Sequence, residues 1–250
     1  MNIFEILLYQ PLLNILILIY SYFPGHNFGV SIVVLTVLIR LLLYPLVSES
    51  IRVQKVTADL QPKMKEIQEK HKNDKEKQTL LTMQLFKEHK INPFGGILLL
   101  VIQLPILIAL YQVFYKGITS DVLKLLYGFV PNPGMIDQTF LGLVNLANGS
   151  LAMAVAAGIL QYFQTKMITP PPAAKSRGGE DQMADFSNQM QKYMLYFFPV
   201  LTVYIFYKLP AALSLYWIVS SLFSIAQQYL VINKIKPAAT GSVKSAVLSR

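Results

Sequence analysis

The apolar residues of this chain are gathered into runs of about 15 to 30, the length scale of helices that cross a hydrocarbon core roughly 30 Å thick. A soluble domain of 250 residues could not hide them in one core, because 54% of the residues are hydrophobic, only 14% are charged and the mean hydropathy is +0.45. The bilayer is therefore the expected solvent for one integral domain. Cysteine is absent, which excludes disulfides, thiolate metal sites, cysteine nucleophiles and an acylated cysteine anchor. The first Lys or Arg is Arg40, so the apolar N-terminus lacks the basic leader of an ordinary signal peptide and is expected to be retained.

Residues 1–23 are apolar but interrupted, and Gln10, Asn14 and Ser21 share one face of a helical wheel. That pattern fits a helix lying in the membrane interface, with a spanning anchor as the alternative. A spanning run from Phe28 to about Val47 is broken only by Arg40. Ser48 to Lys90 then turns polar, with ten basic residues against seven acidic ones. Its apolar residues recur at helical spacing (Ile51, Leu60, Met64 and Ile67, then Leu80, Leu81, Met83, Leu85 and Phe86), and Asn73 and Asp74 suit the cap of a second helix. The spacing predicts a helical hairpin outside the membrane that packs little into the bundle.

A second span opens at NPFGG and carries Pro105 as an expected kink. After a loop over 116–138, Asn145, Asn148, Gly149 and Ser150 keep the next segment out of lipid, and Leu151 to Met167 forms the third span. The polar stretch 169–191, with Pro170, Pro171 and Pro172, reads as a mobile loop. Tyr193–Tyr207 and Ala211–Ile232 are joined only by Lys208, Leu209 and Pro210, which predicts an antiparallel helical pair. The fourth span covers only about 22 Å at the helical rise, so the bilayer is expected to thin beside it, and Pro199 adds a kink. The gaps after the first and third spans and the C-terminal tail hold ten, four and four basic residues, whereas the opposite gaps hold Lys116, Lys124 and Lys208. The positive-inside rule then gives five spans, with the N-terminus outside and the hairpin, loop and C-terminus in the cytoplasm.

Arg40 stands about nine residues, or roughly 13 Å, from the cytoplasmic end of its run, near the bilayer middle. An arginine there costs about 2.5 to 3.5 kcal/mol on insertion scales, so it must face protein or water. One reading pairs it with a carboxylate on a neighbouring helix, but no Asp or Glu lies within the five spans. The other gives it water, side-chain amides or a transient anionic partner. Gln103 matches its depth, Thr36 lies one turn outward on the same face, and Gln161, Gln164 and Thr165 form a stripe at helical spacing. Together they suit a wet groove open to the cytosol, or individually ordinary interhelical hydrogen bonds. Tyr216 and Trp217 suit either an aromatic belt or the outer part of a substrate path. No phosphate loop, HExxH or intramembrane acid pair is present, and His26, His71 and His89 fall outside the spans. No catalytic residue, metal or cofactor is expected. A proton-coupled carrier would need intramembrane carboxylates, which disfavours a channel or solute carrier; a static assembly factor remains a further reading.

In order, LYQPLL, TVLIRLLLYPL, LQPKMKEIQEKHKNDKEK, NPFGG with IQLPILIALY, and LPAALSLYWIVSSLFSIAQQYL resemble the YidC insertase family, from about Tyr9 to Lys234. The resemblance implies an all-α polytopic membrane protein of the bacterial inner membrane, with five transmembrane helices (28–235) around a positively charged hydrophilic groove. It implies a cytoplasmic helical hairpin (48–91), an interfacial helix on the outer surface (1–23) and a flexible tail (236–250). Arg40 would be the groove arginine, Gln103 and Gln164 groove amides, and Trp217 an aromatic residue contacting substrate. The implied function is insertion and chaperoning of nascent membrane proteins, with the lipid bilayer, the ribosome and the Sec translocon as partners and no small-molecule substrate. The chain is expected to be a minimal member, without the large periplasmic domain of many relatives.

Overall fold

A computed structural model describes residues 2–23, 25–71, 74–89, 91–92, 95–115, 120–169, 189–190 and 192–234. The expectations for the loop over 170–188, the tail over 235–250 and the cap at Asn73 fall outside these residues. Helices dominate: α1 (Gln10–Tyr22), α2 (Phe28–Leu42), α3 (Tyr44–Lys70), α4 (Lys75–Glu88), α5 (Gly95–Tyr115), the single turn α6 (Ser120–Leu123), α7 (Leu151–Ile168), α8 (Phe198–Lys208) and α9 (Ala211–Lys234). A two-stranded hairpin, β1 (Thr139–Phe140) and β2 (Val144–Asn145), sits in the connection between α6 and α7.

Prolines shape several of these elements. Pro11 and Pro199 stand near the starts of α1 and α8, and each follows a π-helical turn, Glu5–Tyr9 and Tyr193–Phe197. A proline has no N–H to donate and its ring crowds the carbonyl four residues back. The residue just before each proline reaches one residue further instead, Gln10 N–H to Glu5 O and Phe198 N–H to Tyr193 O. Pro45 acts at the other site of interest. The run read as one span from Phe28 to Val47 breaks at Leu43, and α3, with Pro45 in its first turn, leaves α2 at 66°.

Two helices among the described residues, Glu5–Tyr22 and Ala211–Lys234, are long and apolar enough to cross a membrane. The bent pair Phe28–Leu42 and Tyr44–Lys70 makes a third if taken as one span, and Val101–Tyr115 and Tyr193–Lys208 are shorter apolar helices. Their main core gathers at one end of the bundle. It takes Leu13, Leu16 and Ile17 from α1, Phe28, Ile32 and Leu35 from the start of α2, Leu110 and Val113 from the end of α5, Ala154 and Ala157 from the start of α7, and Ala211 to Leu213 from the start of α9. The end that holds this core is the closed end of the bundle; along α2, Leu35 is 2% exposed and Leu42, two turns on, 79% exposed.

The closed end is sealed by polar groups as well. Asn14 donates to Gln10 O and Leu125 O and accepts from Tyr127 N–H at 2.7 Å, and Gln10 also donates to Leu125 O. The polar face of the first segment therefore turns into protein, toward the chain that follows α5, and Asn14 is buried. The carbonyls of Asn148 and Leu146 accept from Ala211 and Ala212, satisfying N–H groups that the start of α9 would otherwise leave bare. Asp74 caps α4 by accepting from Lys77 N–H at 2.9 Å, as expected from its position.

Val53, Leu60, Leu85 and Ile91 form a second, smaller core that closes α4 onto α3. The base of α3 does not match the expectation of a hairpin that packs little into the bundle. Val47, Ser50 and Ile51 are buried, because α3 starts at the break and its first turns lie against α5 and α9. The expected pairing of the last two helices is also modest. α8 lies mainly on α7, while α9 packs on α7, α2 and α3. Gly158 explains this: a Cβ there would collide with Val203 and the Pro199 carbonyl, so only glycine lets the two backbones approach.

Candidate functional site

Arg40 lies on the last full turn of α2, just before the break at Leu43. Its side chain is half-buried. The ion pairs among the described residues are Arg52 with Glu49 and Lys55 with Asp59, both on α3, so no carboxylate neutralises Arg40 there. α2 packs against α9, whose first half carries Tyr216. Tyr216 is 2% exposed, which places it inside the bundle and not in a lipid-facing belt. Gln103 of α5 donates through Nε2 to the Tyr216 hydroxyl at 2.7 Å. This bond ties α5 to α9, which also packs against the helix that carries Arg40.

The other expected site residues divide. Thr36 is buried one turn from Arg40, but its hydroxyl donates to Ile32 O at 2.6 Å and is committed to its own helix. Gln161 accepts from the Thr202 hydroxyl of α8 at 2.5 Å, an interhelical hydrogen bond that joins α7 to α8. Gln164 is half-buried on the same helix. Trp217 packs edge-on against Phe206, ring centroids 5.2 Å apart, and its buried Nε1 has no hydrogen-bond partner among the described residues. The structure therefore joins Gln103 to Tyr216, and sets Gln161 and Trp217 toward α8.

A larger polar seam escaped the sequence reading. Along α9, Ser214, Ser220, Ser221, Ser224, Gln227 and Gln228 are all buried. Gln227 donates to Tyr44 O at 2.9 Å and to Ser48 Oγ at 2.8 Å, fastening α9 to the first turn of α3 beside the break. The oxygens of Ser214 and Ser220 and the free Oε1 atoms of Gln227 and Gln228 lack partners among the described residues. Buried polar atoms of this kind are ordinarily satisfied by water. The signal was readable: Ser214, Ser221 and Gln228 recur every seven residues, the period of one helix face.

The chemistry available is that of a cation and neutral hydrogen-bonding groups in apolar walls. No cluster of three or more His, Cys, Asp or Glu able to hold a metal occurs among the described residues. Phe163, Tyr196, Phe197 and Tyr204 of α7, α8 and the preceding turn are exposed, a face suited to lipid or to another apolar helix.

Comparison with known proteins shows the family of the chain. The sequence profile described as 60Kd inner membrane protein matches residues 18–239. A protein of Fusobacterium nucleatum named membrane protein insertase YidC is 33% identical over 208 residues, covering 83% of this chain and 87% of the relative. One of the same name from Clostridium tetani is 32% identical, covering 83% of this chain and 82% of the relative. One from Anaeromyxobacter sp. is 34% identical over 221 residues, but these amount to only 35% of that longer protein. These relatives are named for insertion and not for an enzymatic reaction. A profile that spans nearly the whole chain, with relatives matched along most of both lengths, places the protein in the family of the 60Kd inner membrane protein.

Proposed function

We propose that the protein integrates hydrophobic segments of newly made proteins into the bacterial inner membrane, as insertase and chaperone, through a positively charged hydrophilic groove. The observation that carries the reading is Arg40, half-buried on the last turn of α2, without a carboxylate partner among the described residues, on a helix packed against the one that carries Tyr216 of the Gln103–Tyr216 pair. A guanidinium held in this way attracts an anion that comes and goes.

In this reading five helices span the bilayer: α2 with the base of α3, α5, α7, α8 with its preceding turn, and α9. Residues 1–23 lie along the outer interface, and the closed end faces outward. The hairpin 48–91, the loop 169–191, the tail 236–250 and the C-terminus are cytoplasmic. The distribution of basic residues supports this orientation. An acidic residue in a short translocated tail is drawn to Arg40. Gln103, Gln164, Tyr216 and the water that satisfies the α9 seam hydrate the tail. Thr36 and Gln161 hold the walls, and Trp217 with the exposed aromatic face receives the apolar segment. Tyr193–Lys208 covers only about 24 Å, so lipid thins beside it and shortens the crossing. Partition of the apolar segment into lipid supplies the driving force, and no nucleotide or cofactor takes part. The substrate arrives from the ribosome, directly or through the Sec translocon. Depleting the protein from cells and following one single-span substrate tests the role: the substrate should accumulate uninserted, and normal insertion would overturn the proposal.

A further inference from the structure

The hairpin β1–β2 ends in a turn whose chemistry is unusual for water. Thr139 pairs with Asn145 and Phe140 with Val144, and Leu143 N–H closes the turn on Phe140 O at 3.0 Å. The two central residues, Leu141 and Gly142, have φ of +51° and +71°. A turn with two positive φ values favours Asn-Gly or Asp-Gly, whose side chains suit both the backbone and water. This one holds a leucine in the left-handed region, where a branched apolar side chain is disfavoured. Among the described residues no packing rewards that strain: Leu141 is 62% exposed and Leu143 is 84% exposed.

The hairpin is also held at a defined height. Phe140 packs so closely on Gly29 that no Cβ would fit there, and Asn27 donates to Thr139 O at 3.5 Å. Asn27 is the N-cap of α2, whose apolar run begins at Phe28. The turn therefore projects from the level at which α2 starts. The carboxylate of Asp137, at the foot of the hairpin, is occupied by Thr139 N–H at 2.9 Å.

We propose that this turn is a lipid anchor: Leu141 and Leu143 insert into the outer leaflet at the boundary of headgroups and acyl chains, and fix the height of the closed end in the membrane. The inference rests on α2 crossing the bilayer from Phe28. Continuity with that apolar start, and two exposed leucines at a position where the backbone prefers asparagine, select lipid as the occupant.

The chain has no cysteine, so single cysteines introduced as Leu143→Cys and, separately, Leu38→Cys can each carry an environment-sensitive fluorophore in proteoliposomes. Leu38 is an exposed residue on α2 and reports whether that helix crosses the bilayer. The expected result is blue-shifted emission at position 143, loss of fluorescence with lipids bearing a shallow nitroxide, and little quenching by aqueous iodide. A water-like spectrum at 143 with lipid quenching at 38 overturns the anchor alone. A blue shift at 143 without lipid quenching means that protein covers the turn, and also overturns it. Absence of lipid quenching at 38 overturns the spanning of α2, and the anchor with it.

Discussion

Gln103 donates a 2.7 Å hydrogen bond to the hydroxyl of Tyr216, joining α5 to α9. The bond fixes the orientation of a phenol buried in the core. Tyr216→Phe keeps the ring and removes this acceptor, leaving the Gln103 amide to find water. A loss of about 0.5 to 1.5 kcal/mol is expected in reversible unfolding in detergent. Gln103→Ala should cost a similar amount, and the double variant little more than either, since the two act as one pair. Additive losses would mean that the bond does not couple the helices.

Gln227→Leu removes both donations that hold the first turn of α3, to Tyr44 O and Ser48 Oγ. The expected result is faster amide exchange over 44–51, with α7 and α8 unchanged. Uniform exchange in the variant and the parent would show that the bend is set by Pro45 alone.

Gly158→Val should separate α8 from α7, because any Cβ meets Val203 and the Pro199 carbonyl. Overpacking of this kind costs about 1 to 3 kcal/mol. A drop in thermal stability is expected, with a smaller drop for Thr202→Val, which removes only the bond to Gln161.

The hairpin can be shortened only with regard to its base. Deleting 48–90 removes the buried Ser50 and Ile51 and should destabilise the bundle. Replacing 57–88 by a short linker spares these contacts, so the core should remain folded while insertion falls. Full insertion by the shortened protein would remove the hairpin from the mechanism.

Much of this architecture was legible because the bilayer imposes a coarse code. Apolar runs located α2, α5, α7 and α9, and the lone Arg40 stood out because lipid tolerates so few charges. What stayed hidden depended on contacts between distant segments. Gln10 and Asn14 read as an interfacial polar face, but a polar face looks the same in sequence whether it meets headgroups or the carbonyl of Leu125. The break at Leu43 lay inside a run apolar enough to be read as one helix, and only Pro45 marked it. Gln161 was grouped with Gln164 by spacing, yet it reaches Thr202 because Gly158 brings α8 close. The serine and glutamine seam of α9 was masked by the aromatic and aliphatic residues between its members.

The central claim is that the charge of Arg40 moves acidic tails across the membrane. Its most direct measurement is protease protection of a short-tailed, single-span substrate in liposomes containing the purified protein, with the tail made acidic or neutral. The account predicts that Arg40→Ala loses most protection of the acidic tail and little of the neutral one. Arg40→Lys should retain most of both, since a point charge suffices where the described residues offer no carboxylate to a fork of donors. Equal protection of the acidic tail by Arg40→Ala and the parent protein would contradict it.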